Sequence, residues 1–160
     1  MRHVLGYGVM AFATAALLGV GFTAVAQDKT AAVTERQALM KSNGASAGKI
    51  AAFLQKGEGS AADVAAAGAQ IAENLKKVPP LFVAGTSSAD MPGKTRAKPE
   101  MFQNMAKVEG YQKAAVQRAT ELQDAAKAGD KEKMSAAFGA LNREGCGGCH
   151  TDFRGPAQGS

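Results

Sequence analysis

Cys146, Gly147, Gly148, Cys149 and His150 place two thiols three residues apart with an imidazole directly after the second. On a helix, side chains at that spacing project from one face, where both thiols can add to the vinyl groups of a single haem. The adjacent imidazole can then turn onto the iron as its proximal ligand. The pentapeptide therefore predicts one covalently attached haem c per chain, held by Cys146 and Cys149 and ligated by His150. A local disulfide is the strongest competing use of the pair in an oxidising compartment, but it gives no reason for the histidine. Structural zinc would need four Cys or His ligands, and beyond residue 26 the chain holds two cysteines and one histidine.

The rest of the chain must position that site. Its start reads as a secretory signal: Arg2 and His3, an apolar run from Val9 to Val25, and the small-residue pattern Ala24-Val25-Ala26. Cleavage is expected before Gln27, leaving residues 27–160 as one periplasmic domain. The run is short for a spanning helix and is interrupted by Gly19 and Gly21, so no stable membrane insertion is expected after cleavage. Removing the signal takes one arginine from 19 basic residues against 14 acidic ones, leaving a mildly basic chain. No basic run is dense enough for nucleic acid. Tryptophan is absent and aromatics make up 6% of the chain, a thin core that a buried porphyrin would fill.

Four segments carry helical periodicity, and no convincing strand pattern interrupts them. From Asp28 to Lys56, Val33, Gln37, Met40, Gly44, Ala47, Ala51 and Leu54 recur at steps of three and four, with a bend expected near Ser42-Asn43-Gly44. Ser60 and Asp63 resemble a capping start for a second helix that Pro79-Pro80 stops. A third opens with Pro99 and runs to Gly129. A fourth, capped by Asp130, passes through Met134, Phe138, Leu141, Gly145 and Cys149 to Gly155-Pro156. Short connections at 57–59 and 129–130 make helical hairpins. The fold class is thus all-α, an antiparallel up-down-up-down four-helix bundle with haem near the C-terminal end. The long connection 79–98 belongs beside the haem.

In that topology His150 shares one end of the bundle with the start of the first helix and the start of the third. Met40 lies roughly 16 Å along its helix at 1.5 Å per residue, within the height of a haem. Met101 and Met105 lie at the same end, so spacing alone leaves three candidates for the sixth iron position and excludes Met134. Arg154, one turn after His150, can act on the imidazole or on the haem propionates, or simply sit as a cation at a helix C-terminus.

Glu35-Arg36-Gln37-Ala38-Leu39-Met40, Lys98-Pro99-Glu100, Ala128-Gly129-Asp130 and the haem motif followed by Phe153-Arg154 together resemble the cytochrome c-prime and cytochrome c-556 family across the mature chain. The bundle architecture is one with which that family is associated. The resemblance places Arg36 near the propionates, lines the cofactor with Gln37, and sets Met40 opposite the histidine. Cytochromes c-prime carry a non-ligating residue there and leave a five-coordinate iron that binds small gases. Methionine resembles the c-556 branch, with a six-coordinate, low-spin haem. The reading that follows is a periplasmic one-electron carrier with iron held by His150 and Met40, not an enzyme, serving periplasmic redox partner proteins as a monomer or homodimer. The alternative is a five-coordinate c-prime-like protein that binds NO or CO.

Overall fold

The computed structural model describes residues 28–157 of the 160-residue chain; the expected signal peptide lies outside them. Helix α1 spans Lys29–Lys56 as one continuous helix and α2 spans Ala61–Lys77. The third helical run is divided into α3, Pro99–Gln103, and α4, Met105–Lys127. The fourth consists of α5, Lys131–Ala140, a π-helical segment over Leu141–Gly147, and α6, Gly148–Phe153. No strand forms among the described residues; a single antiparallel bridge joins Ala97 to Arg154.

The boundaries follow from local chemistry. Asp28 accepts from the backbone N–H groups of Thr30 and Ala31 at 2.8 and 3.2 Å, satisfying donors that the first turn of α1 leaves open. Ser60 and Asp63 form a reciprocal capping box at the start of α2. Asp130 caps α5 by accepting from the N–H of Lys133 at 3.0 Å. Gly57 and Gly129 end their helices at φ 74° and 71°, where a Cβ would be strained. The expected third helix is broken at Asn104, whose backbone leaves the helical region at φ −126°, ψ 37°. Its side-chain amide donates to the carbonyl of Glu100 at 2.8 Å, and such local bonds compete with the helical ladder.

The short links make α1 with α2, and α4 with α5, into hairpins, and α2 packs most extensively against α4. Small residues permit that approach: Ala67, Gly68 and Ala72 of α2 and Ala115, Ala119 and Ala126 of α4 are all buried. A Cβ on Gly68 would stand 3.1 Å from the carbonyl oxygen of Ala119. Close helices with short side chains explain how a chain poor in aromatics builds a core. Ile50, Val64, Leu122, Met134 and Leu141 fill it, each contributing roughly 1.5–3 kcal/mol by burial. Met134 belongs to this core, as its position in the fourth helix predicts.

The π-helical segment has a visible cause. Leu141, Gly145, Cys149 and Phe153 face inward at successive four-residue steps, longer than the 3.6-residue turn of an α-helix. A wider coil keeps such a series on one face. It also presses Gly145 against α4, where a Cβ would lie 2.5 Å from the Cβ of Ala115 and 2.7 Å from its Cα.

Gly145→Ala should therefore lose about 1–3 kcal/mol by overpacking, whereas Gly110→Ala, at an exposed α4 site with open space around the new methyl, should gain about 0.5–1 kcal/mol. Urea midpoints of the two variants provide the comparison.

The capping carboxylates set the acid limit. The Ser60 hydroxyl and then its backbone N–H hold Asp63 below the usual carboxylate range, and the Lys133 backbone N–H and then its side chain do the same for Asp130. A depressed folded-state pKa gives stability that is present above the unfolded value and disappears as pH falls through the folded one. Urea stability should thus hold down to about pH 4.5 and decline below about pH 4, with a shallower decline in Asp63→Asn and Asp130→Asn.

Candidate haem attachment site

Between the helices, at the end where α6 terminates, lies a cavity of about 560 Å³. Cys146 of the π-helical segment and Cys149 and His150 of α6 all border it, so the structure brings the whole motif to one wall. Met40 of α1 borders the same cavity, as do Arg36, Gln37 and Arg154. Met101 is buried and also faces it, packing with Val108 and Phe153, while Met105 sits outside the lining and packs against that cluster. Pro79, Phe82, Arg96 and Ala97 bring the long connection to the cavity edge, where the sequence places it.

The two glycines inside the motif are explained in part by α4. A Cβ on Gly148 would come within 2.5 Å of the Tyr111 ring. That ring meets Phe153 edge-on at 6.4 Å, and its hydroxyl donates to Asp152 at 2.7 Å. Lys107 pairs with the same carboxylate at 2.8 Å. The Lys107 side chain and then the Tyr111 hydroxyl hold Asp152 below the usual carboxylate range.

The end of α6 is clasped by the long connection. The Lys98 N–H donates to the carbonyl of Phe153 at 2.9 Å and the Gly155 N–H to that of Arg96 at 2.7 Å. The Arg96 guanidinium donates twice to the Gly155 carbonyl, at 2.9 and 2.6 Å. Lys98 reaches back with its ammonium to the carbonyl of Asp152 at 2.9 Å. Sequence reasoning missed Arg96, Tyr111 and the clasp, and named Lys98 only at the opening of the third helix. The only local trace was the density of cations between 94 and 98, because the bonds join segments more than fifty residues apart.

Arg36 behaves differently from its expected place beside the propionates alone. It is 5% exposed, and its recorded bonds go to the long connection: the carbonyl of Leu81 and the hydroxyl of Thr95 at 3.0 Å each, with Thr86 at 3.4 and 3.5 Å. Its guanidinium also stacks 5.0 Å from the Phe82 ring. These partners are all neutral, and burial pulls its pKa down. A buried cation on a cavity wall with no carboxylate partner among the described residues fits a group that brings its own anions. Gln37, one residue on, donates to the Lys94 carbonyl at 2.6 Å. The two residues thus hold the loop as well as border the cavity.

Electrostatics on the motif wall favour neutral ligands. Burial pushes the Cys149 thiol up to about 11, with Asp152 and Cys146 adding to the rise, and burial likewise raises Cys146. His150 is exposed by surface area at the cavity mouth, yet enough protein surrounds it that desolvation lowers its pKa, with repulsion from Arg154 and then Arg96 adding to the effect. A neutral imidazole is the form that ligates iron.

The match to known proteins decides the family. A family model described as Cytochrome C' matches residues 31–154. The chain belongs to the cytochrome c' family. It is 35% identical to the cytochrome c' of Allochromatium vinosum over 159 residues, 96% of this chain and 99% of that one. It is 36% identical to that of Rhodopseudomonas palustris over 140 residues, 86% and 89% of the two chains. Among solved structures, a cytochrome c' with ligand-controlled dimer dissociation superposes with a TM-score of 0.74 at 33% identity, covering 82% of this chain and 99% of that one. The cytochrome c' of Thermochromatium tepidum gives 0.71 at 30%, covering 80% and 97%. The structural neighbours are four-helix bundles, and members of the family carry covalently attached haem c. The apolar cavity, the thiol pair and the unpaired Arg36 charge fit that group.

These relatives overturn the expected six-coordinate electron carrier. They are cytochromes c', and the reading they favour is the open-iron alternative. The physical reason lies in Met40 itself. A half-buried methionine on an apolar cavity wall is equally a flexible packing residue, so its presence never required an iron–sulfur bond.

Arg36→Lys should keep the charge and lose the fork that gathers Leu81, Thr86 and Thr95. About 2–3 kcal/mol of stability should disappear with it, and amide hydrogen exchange across residues 79–98 should accelerate more than in α2 or α4.

Proposed function

We propose that this chain is a periplasmic haem c protein whose iron is five-coordinate and binds NO or CO on the face away from His150. The observation that carries the reading is the cavity bordered by Cys146, Cys149 and His150 on one wall and by α1 on another, in a chain of the cytochrome c' family. Bound there, haem c would supply an iron able to take up a diatomic gas. Cys146 and Cys149 form the two thioether links, and His150 is the proximal ligand. Arg36 keeps the loop in place and would supply positive charge to the propionates, Gln37 would border the cofactor, and Arg154 lends positive charge beside the imidazole. Met40 of α1 with Ile71 and Leu75 of α2 would give the bound group an apolar surround that admits small neutral molecules and disfavours water.

Residues 1–26 direct export and are removed, leaving 27–160 as the working domain. Among the described residues no helix is long and apolar enough to cross a membrane. Redox exchange is with other periplasmic proteins, and the chain is not an enzyme. A homodimer is favoured by the relative that shows ligand-controlled dimer dissociation.

Visible spectra and gas titration test this reading. High-spin haem in both oxidation states and prompt uptake of CO and NO by the reduced protein are expected. A low-spin spectrum in both states with no gas uptake would overturn it.

A further inference from the structure

Along the outer side of the clasp, positive charge collects with little to neutralise it. Lys94, Arg96 and Lys98 recur at every second residue, and the bridge from Ala97 brings Arg154 beside them. Thr95 turns inward to Arg36, and alternation along the extended backbone sets Arg96 and Lys98 on the other side. Lys94 and Arg154 are exposed, and Arg96 and Lys98 are half-buried. Arg96 and Arg154 also border the cavity beside Cys149 and His150, so the charge flanks the cofactor site itself.

The bonds these cations make hold them in place and leave their charge intact. Arg96 donates to the Gly155 carbonyl, and Lys98 to the carbonyls of Asp152 and Thr151 at 2.9 and 3.5 Å. A neutral carbonyl fixes a cation without cancelling it, whereas a carboxylate does both. None of the four enters an ion pair among the described residues, although such pairs form along α2, α4 and α5. Of the carboxylates on the connection, α3 and α6, Asp152 is taken by Lys107 and Tyr111, and Asp90 by Ser87 in its own turn. Glu100 alone is left to offset the patch. Arg36, buried on the cavity wall, is a separate cation for the propionates.

We infer that Lys94, Arg96, Lys98 and Arg154 form the docking surface for a redox partner protein that presents a carboxylate-rich face. This rests on the reading that the chain exchanges electrons with other proteins, and adds to it which face does so and the charge of the partner. Fixed cations beside the site speed and orient the encounter with an acidic surface more than they tighten the final complex. Their reach is about 30 Å at 0.01 M salt and about 3 Å at 1 M, so the effect disappears as salt is added.

The test mixes reduced, haem-loaded protein with an anionic oxidant, hexacyanoferrate(III), or a cationic one, tris(phenanthroline)cobalt(III). Each takes one electron from the ferrous haem, which becomes ferric, and no bond or proton is exchanged. At about 0.01 M salt Lys94→Glu should slow the anionic oxidant about fivefold and speed the cationic one, with native and variant rates converging near 1 M. Shifts of opposite sign do not arise from a structural defect. Lys56→Glu, at the far end of α1, makes the same change in net charge and should move either rate by less than about twofold. A carboxylate-terminated monolayer on gold then supplies an acidic surface of protein size. Native protein should adsorb with a reversible haem wave that salt removes, and Lys94→Glu combined with Lys98→Gln should lose at least about half of that coverage.

Equal behaviour of the Lys94 and Lys56 variants would overturn the inference and leave the redox reading intact. A response to hexacyanoferrate with none on the monolayer would reduce the patch to a site for small anions and overturn the acidic partner. Failure of the native protein to react with either oxidant would overturn the redox reading, and this inference with it.

Discussion

The loop between the second and third helical runs is held from both sides, and the site depends on that double attachment. On one side Arg36 of α1 gathers Leu81, Thr86 and Thr95; on the other, residues 96–98 bond the chain around Phe153–Gly155. Between these anchors lies the cavity edge. The last turn carrying His150 is only six residues long as an α-helix, too short to hold a direction alone. Its orientation comes from the loop, and the loop's comes from a buried guanidinium on another helix. A single cation at the start of α1 is thereby linked mechanically to an imidazole more than a hundred residues later.

The two ends of the bundle solve opposite packing problems. Away from the motif, alanines and Gly68 bring α2 and α4 close, so short side chains suffice for a dense core. Near the motif the same helices keep a large apolar space. Tyr111 and Gln112 of α4 turn their own polar groups to Asp152 and to the Leu75 carbonyl, which leaves the wall around Ile71, Leu75 and Val108 largely hydrocarbon. The contrast explains how one composition, rich in alanine and poor in aromatics, yields both a closed core and a cofactor-sized opening.

Much of this was legible in the residues. The haem motif stands in a contiguous pentapeptide, and the caps Ser60, Asp63 and Asp130 act within one turn, so local chemistry identified them. The hairpins followed from link lengths. What escaped was set by long-range or two-sided contacts. Asn104 breaks the third run because its side chain chooses the Glu100 carbonyl, an option the apolar periodicity does not display. The clasp joins backbone N–H groups and the Arg96 and Lys98 side chains to backbone carbonyls more than fifty residues away, so its partners leave no side-chain pattern. The π-helical segment did leave one, in the four-residue steps from Leu141 to Phe153, but a periodic face can be read through such a run without noticing that its pitch has changed. Met40 illustrates the converse error: its place on the cavity wall was readable, whereas the presence of an iron bond is not a property of one side chain.

The wide turn before the thiols also makes residue count the sensitive quantity in this part of the chain. Within Leu141–Gly147 an exchange of one side chain for another leaves the path of the backbone intact wherever space allows. A deletion of one residue would instead return the segment to the tighter coil and swing everything beyond it by roughly 100° about the helix axis. Cys149 and His150 would then leave their wall together, and the clasp at Gly155 would lose its register. Variants of this protein should therefore tolerate changes of letter before the motif far better than changes of length.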